Sequence, residues 1–156
     1  MQLTGKQVLD AEPSVVWKLL MDTETLAKIV PGISKLESNG ENSFRSVIII
    51  KLGPVNGSFT GNLQLEDIIE QKSFTLKVQQ NSSIGNANSV VKIELTPIGD
   101  NQTELKFDGD AKLSGLLASM GQRVTSGVSN TLTKQFFSNL ERNCIVSSCL
   151  NPKIRD

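Results

Sequence analysis

Histidine and tyrosine are both absent from this chain of 156 residues, which narrows the chemistry its side chains could perform. Their absence removes the commonest general base, the usual metal ligand and the phenolic acid. Neither a Ser-His-Asp nor a Cys-His constellation can be built from this chain alone. The acids Glu66, Glu104, Asp108 and Asp110 all fall on the polar side of alternating stretches, where a solvated face is the simpler account. Acid–base catalysis would need one of them buried and strongly perturbed. Cys144 and Cys149 match no zinc-ligand spacing, and two sulfurs without histidine do not complete a structural site. Unpaired thiols in a reducing cytosol are expected, with a local disulfide as the alternative. No catalytic residue, metal ligand or cofactor is predicted.

What the residue pattern does support is an apolar container. From Val55 to Leu65 the odd positions spell Val, Gly, Phe, Gly, Leu, Leu, while Asn56 to Gln64 carry polar side chains. A strand sends alternate side chains to opposite faces, so one face is apolar and interrupted at Gly57 and Gly61. Glycine inside a strand marks a bend or a place where something needs room.

The elements that would position such a face follow from the rest of the chain. Leu3 to Ala11 reads as a strand ended by Glu12-Pro13. Pro13 starts a helix carrying Val16, Trp17, Leu20 and Met21, and Asp22 or Thr23 caps a second one ended by Pro31-Gly32. Alternating segments over Phe44–Leu52, Val55–Ile68, Phe74–Gln79, Val91–Thr96 and Leu105–Leu113 follow, with a polar turn-rich stretch between Asn81 and Ser89. Short connections and clean alternation predict an antiparallel meander with one wet face. From Ser114, read as an N-cap, to about Ile145 there is no proline. Leu117, Met120, Val124, Val128, Leu132, Phe136 and Leu140 recur at helical spacing, which predicts one helix ~45 Å long. Gly121 interrupts that stripe at a cost of roughly 1 kcal/mol in a helix interior. Close helix–sheet contact and ligand space are equally good reasons for it.

The length suits one domain, taken here as residues 1–146 with a short tail over 147–156. Sixteen basic and sixteen acidic residues cancel, and no basic stripe marks a nucleic-acid partner. No apolar run approaches the roughly 20 residues of a membrane span. The N-terminus lacks a secretory signal, so a cytoplasmic, soluble protein is predicted.

Strand, two short helices, a run of strands and one long C-terminal helix is the order of the helix-grip fold (START-like, birch-pollen-allergen-like). The chain further resembles the carbon monoxide dehydrogenase G-subunit family. The resemblance is carried by the opening Met-Gln-Leu-Thr-Gly, Pro13 to Trp17, Asp22, Leu26, Val30-Pro31-Gly32 and Gly53-Pro54-Val55. It continues through Gly57-x-Phe59-x-Gly61, Leu95-Thr96-Pro97, Gly115 to Gly121 with Arg123, and Gln135-Phe136-Phe137. It implies an α+β fold in which a curved antiparallel sheet of six to seven strands wraps the long helix and leaves a cavity.

The resemblance also implies a binder of a quinone or lipid, accessory to a molybdenum-containing carbon monoxide dehydrogenase-type enzyme. Many members continue into a membrane-associating tail. This chain stops at Asp156, so any contact with the inner face of the membrane is expected to be peripheral. Expected walls of the cavity are Trp17, Leu26, Ile29, Ile33, Phe59, Leu63, Phe74, Leu76, Phe107, Leu117, Met120, Gly121, Val124 and Val128. Gln135 and Arg123 are the polar residues on or beside the helix stripe. For any one of these positions ordinary core is the favoured account over ligand contact, and Met120 with Gly121 is the leading pair for ligand contact because methionine adapts to irregular shapes. The cavity is expected near Pro31-Gly32, with a volume of about 300 Å³ or more. Two other classes compete with the carrier: a cyclase or aromatase on the same fold, and an adaptor acting through the Pro31–Ile33 region or the Cys144–Leu150 end.

Overall fold

The computed structural model describes the backbone of residues 2–150 and the side chains of residues 2–144. Seven antiparallel strands form one sheet: β1 (Gln2–Leu9), β2 (Ile33–Gly40), β3 (Ser43–Leu52), β4 (Val55–Ile69), β5 (Ser73–Ser82), β6 (Gly85–Ile98) and β7 (Gln102–Leu113). Their spatial order is β1-β7-β6-β5-β4-β3-β2, so β1 and β2 form the two edges. Helices α1 (Pro13–Met21) and α2 (Thr23–Ile29) carry the chain from one edge to the other. After β7 come α3 (Leu116–Ser119) and α4 (Gln122–Leu150). This is the helix-grip architecture.

The local reasons are those of the sequence, with four corrections. First, β2 is a strand that alternation did not mark: Lys35, Glu37, Ser38 and Asn39 are exposed, and irregular pairing flanks the ladder to β3. An edge strand buries little, so its pattern is polar. Second, most of the stretch from Asn81 to Ser89 is strand. Asn81 pairs with Asn86 and Ser82 with Gly85, leaving a two-residue hairpin connection. Polar side chains hid a long β-ribbon. Third, Asp22 stands at the N-cap of α2, but its carboxylate receives the Thr25 hydroxyl at 2.7 Å and no backbone N–H.

The fourth correction concerns the long helix, which is broken. Leu116–Ser119 forms one short turn of helix, Met120 caps it, and Gly121 takes φ +88 before α4 begins. A left-handed residue cannot belong to a right-handed helix, and glycine adopts it without a Cβ penalty. Gly121 therefore serves a turn, not a helix interior. Ser114 is likewise no N-cap. Gly115 holds that position, and the Ser114 hydroxyl accepts from the Asn86 N–H.

The interior has two ends. At one, α1, α2 and the C-terminal half of α4 close a packed core. Leu9, Val16, Ile29, Leu105 and Leu140 are fully buried there, and Trp17 meets Phe74 edge-on at 5.7 Å. Asn139 ties α4 to the end of α2 by donating to the Ile29 carbonyl. At the other end lies a smaller cluster around Val55, Phe59 and Leu117, with Ile48, Ile84, Met120, Val124 and Val128 half-buried against it.

Candidate functional site

A cavity of about 390 Å³ separates the sheet from the N-terminal half of α4. Strand alternation builds its walls. Ile48 and Ile50 come from β3, Val55 and Phe59 from β4, Leu76 from β5, Val91 and Ile93 from β6, and Leu105 and Phe107 from β7. All point to the inner face because they share one parity along their strands. Leu3 on β1 and Val30-Pro31 after α2 complete one flank. Leu117 of α3 and Val128, Leu132 and Phe136 of α4 cover it, the last three spaced one helical turn apart.

Among the described residues, no charged side chain lines this space. The polar lining groups are the hydroxyls of Ser89, Thr125, Ser129 and Thr133. The last three form a second stripe along α4, and Thr125 spends its hydroxyl on the Gly121 and Gln122 carbonyls. Such a surface can enclose an apolar molecule and offers no group with a shifted pKa for proton transfer. A second depression of about 390 Å³ is lined mainly by polar outer-face residues of β4 to β7, including Asn62, Gln64, Lys77, Gln79 and Asn88. Its lining is more polar than that of the first and includes charged side chains.

The structure gathers some of the expected wall residues at the cavity and places others elsewhere. Phe59, Leu76, Phe107, Leu117 and Val128 line it. Trp17, Ile29, Leu63 and Phe74 are buried in the packed core, with Leu26 half-buried against it. Met120 and Val124 pack on the smaller cluster beside the cavity without lining it. Ile33 lies half-buried at the start of β2, while Gln135 and Arg123 are exposed on α4. Gly121 is exposed, and a Cβ there would meet nothing within 4 Å.

The inner-face glycines are explained differently from the expectation. A Cβ at Gly61 would lie 1.7 Å from the Gln79 carbonyl oxygen, and one at Gly109 would lie 2.3 Å from that of Val90. Both glycines permit close approach of neighbouring backbones, and neither simply vacates ligand space. Gly57 alone would accept a methyl group at ordinary contact, 3.6 Å from Ile84.

Alternation in β6 and β7 and the four-residue spacing of α4 would have found Ala87, Val91, Ala111 and Leu132. Pro31, at the turn near which the cavity is expected, is one of its lining residues, and the adjoining Gly32 carbonyl accepts from the Ile49 N–H of β3.

Of the acids, Asp108 and Asp110 are exposed on the outer face, and Glu66 pairs with Lys77 at 2.9 Å. That pairing, mainly through the hydrogen bond, raises the Lys77 pKa. Cys144 is buried, and burial foremost pushes its thiol up to about 11. The Cys149 side chain, the alternative of a Cys144–Cys149 disulfide and the 147–156 tail as a unit lie outside the described side chains. Among the described residues, no helix is long and apolar enough to cross a membrane.

An open antiparallel sheet gripping a C-terminal helix over an apolar cavity defines the START-like class of helix-grip folds. Solved structures agree. A START superfamily protein from Mycobacterium smegmatis superposes with a TM-score of 0.70 at 13% identity, covering 92% of this chain and 96% of that one. The Zhui aromatase/cyclase from Streptomyces sp. R1128 gives 0.71 at 11% identity, over 92% of this chain and 93% of that one. At such identities only the fold is shared. A conserved protein from Geobacillus kaustophilus is far more similar, with a TM-score of 0.91 and 29% identity over 94% of this chain and 97% of that one. The chain belongs to the carbon monoxide dehydrogenase G-subunit (CoxG) family, whose pattern it matches over residues 5–145. No curated protein matches it in sequence.

Proposed function

We propose that this protein is a non-catalytic carrier of a small hydrophobic ligand, a quinone or a lipid, that serves a carbon monoxide dehydrogenase-type enzyme. The observation that carries the reading is the uncharged apolar cavity between the sheet and α4 in a member of the CoxG family. An apolar pocket with a few placed polar groups is the usual form of a small-molecule site. Its volume of about 390 Å³ accommodates a fused-ring headgroup. The link to the enzyme rests on family membership. The carrier reading is preferred over a cyclase because, among the described residues, no titratable side chain lines the cavity.

Extraction and mass spectrometry of lipids from protein purified out of its native host tests the proposal. A prenylated quinone or another lipid is expected at close to one molecule per chain. Protein that emerges empty, and that also fails to bind 2-methyl-1,4-naphthoquinone, would overturn it.

A further inference from the structure

The inner face of the sheet contains one polar pair that neither the core nor the cavity lining accounts for. Gln80 of β5 is 4% exposed, and its Nε2 donates to the Ser46 hydroxyl of β3 at 3.1 Å. Its Oε1 is buried with no hydrogen-bond partner among the described residues. A buried acceptor without a donor is unfavourable and calls for an explanation.

Its position supplies one. Ser46, Gly61, Gln80, Ala87 and Leu113 are successive partners in one row across five strands. Ala87 and Leu113 line the cavity, as do Ile48 and Phe59, the next inner-face residues after Ser46 and before Gly61. Because Gly61 has no side chain, the Gln80 carboxamide can cross β4 and reach Ser46. The small Ala87 leaves the other side of the row low. Gln80 and Ser46 are not themselves lining residues, but they share a row with Ala87 and Leu113, which are, and Oε1 is the carboxamide atom left free while Nε2 stays on Ser46.

We propose that the Gln80 carboxamide, steadied by Ser46, is the polar anchor of the cavity, and that the ligand is an uncharged amphiphile presenting a hydroxyl donor at its buried end. This rests on the carrier reading above. A hydroxyl satisfies Oε1 directly. A carboxylate or phosphate cannot donate when ionised, and it would bring an unpaired charge to a lining that has none. A reduced quinone or an aromatic or lipid alcohol has the required chemistry.

The test uses the full chain and three fluorescent probes of one size: 1-pyrenemethanol, 1-methylpyrene and 1-pyrenecarboxylate. Gln80→Met preserves volume and removes the amide. It is expected to weaken binding of the alcohol by about three- to tenfold, the worth of one neutral hydrogen bond, and to leave methylpyrene within about twofold. The carboxylate is expected to bind the wild type more weakly than the alcohol. Wild-type ¹⁵N spectra add a reading that needs no variant: the Gln80 side-chain amide signals should move on adding the alcohol and not on adding methylpyrene.

An alcohol that loses no more affinity than methylpyrene, or Gln80 signals indifferent to the hydroxyl, would mean that water alone satisfies Gln80 and overturns the anchor. Preference for the carboxylate overturns the uncharged ligand. Failure of every probe to bind the wild type overturns the anchor and the carrier reading together, whereas binding without discrimination overturns the anchor alone.

Discussion

Cys144 shows how one side chain records its surroundings. It is 1% exposed on the inner side of α4, and burial, with smaller contributions from Glu141 and Asp10, raises its thiol from 9.0 to about 11. At neutral pH it is a small apolar core residue with almost no thiolate, so native protein should resist alkylation there. The folded chain holds a proton that the unfolded chain releases at the lower pKa. This stabilisation is complete below pH 9 and is lost as the pH climbs through about 11. The urea midpoint of the wild type should therefore fall more steeply over this interval than that of Cys144→Ala. Parallel curves would assign the alkaline loss to other groups.

At the scale of elements, the two glycines at the start of α4 make opposite predictions. Gly127 lies within the helix, and a methyl group added there would meet nothing within 4 Å, so Gly127→Ala should stabilise by roughly 0.5–1 kcal/mol. Gly121 has just as much space, but its φ of +88 is left-handed. Gly121→Ala should destabilise by roughly 1–2 kcal/mol. Denaturant midpoints of the two variants, measured side by side, should move in opposite directions. Stabilisation by both would mean that α3 and α4 run on as one helix in solution, as the apolar stripe alone suggests.

At the scale of the whole molecule, the packed end and the hollow end should respond differently to changes of volume. Leu140 is fully buried in the packed core, and Leu140→Ala should cost about 2–5 kcal/mol while preserving preferences among ligands. Val128 lines the cavity and is only half-buried. Val128→Trp should fill open space with little loss of stability, well under the ~1–3 kcal/mol typical of overpacking, and should abolish probe binding. Thermal unfolding combined with pyrene-probe titration of both variants separates the ends. A Val128→Trp protein that unfolds readily would show that the space is too small to accept a ring.

Much of this protein was determined by local pattern. Period-two alternation marked β3, β4, β7, most of β5 and the middle of β6, proline and glycine placed the ends of α1 and α2, and motif order identified the family. These signals survive in the sequence because each depends on neighbours a few residues apart. The cavity depended on something else. Phe74 and Leu76 sit on one face of one strand, yet Phe74 meets Trp17 in the core and Leu76 lines the open space. What separates them is which part of α1 or α4 passes overhead. Gly61 and Gly109 reveal their reason only when the backbone of the adjacent strand is in place. Gln80, just ahead of the stretch that reads as turn, is a buried carboxamide held by Ser46 only once β3 and β4 bring that serine into its row from far along the chain. Chain-local periodicity can assign a side chain to the inner face, but whether that face meets a packed helix or empty volume is decided by contacts far apart in sequence.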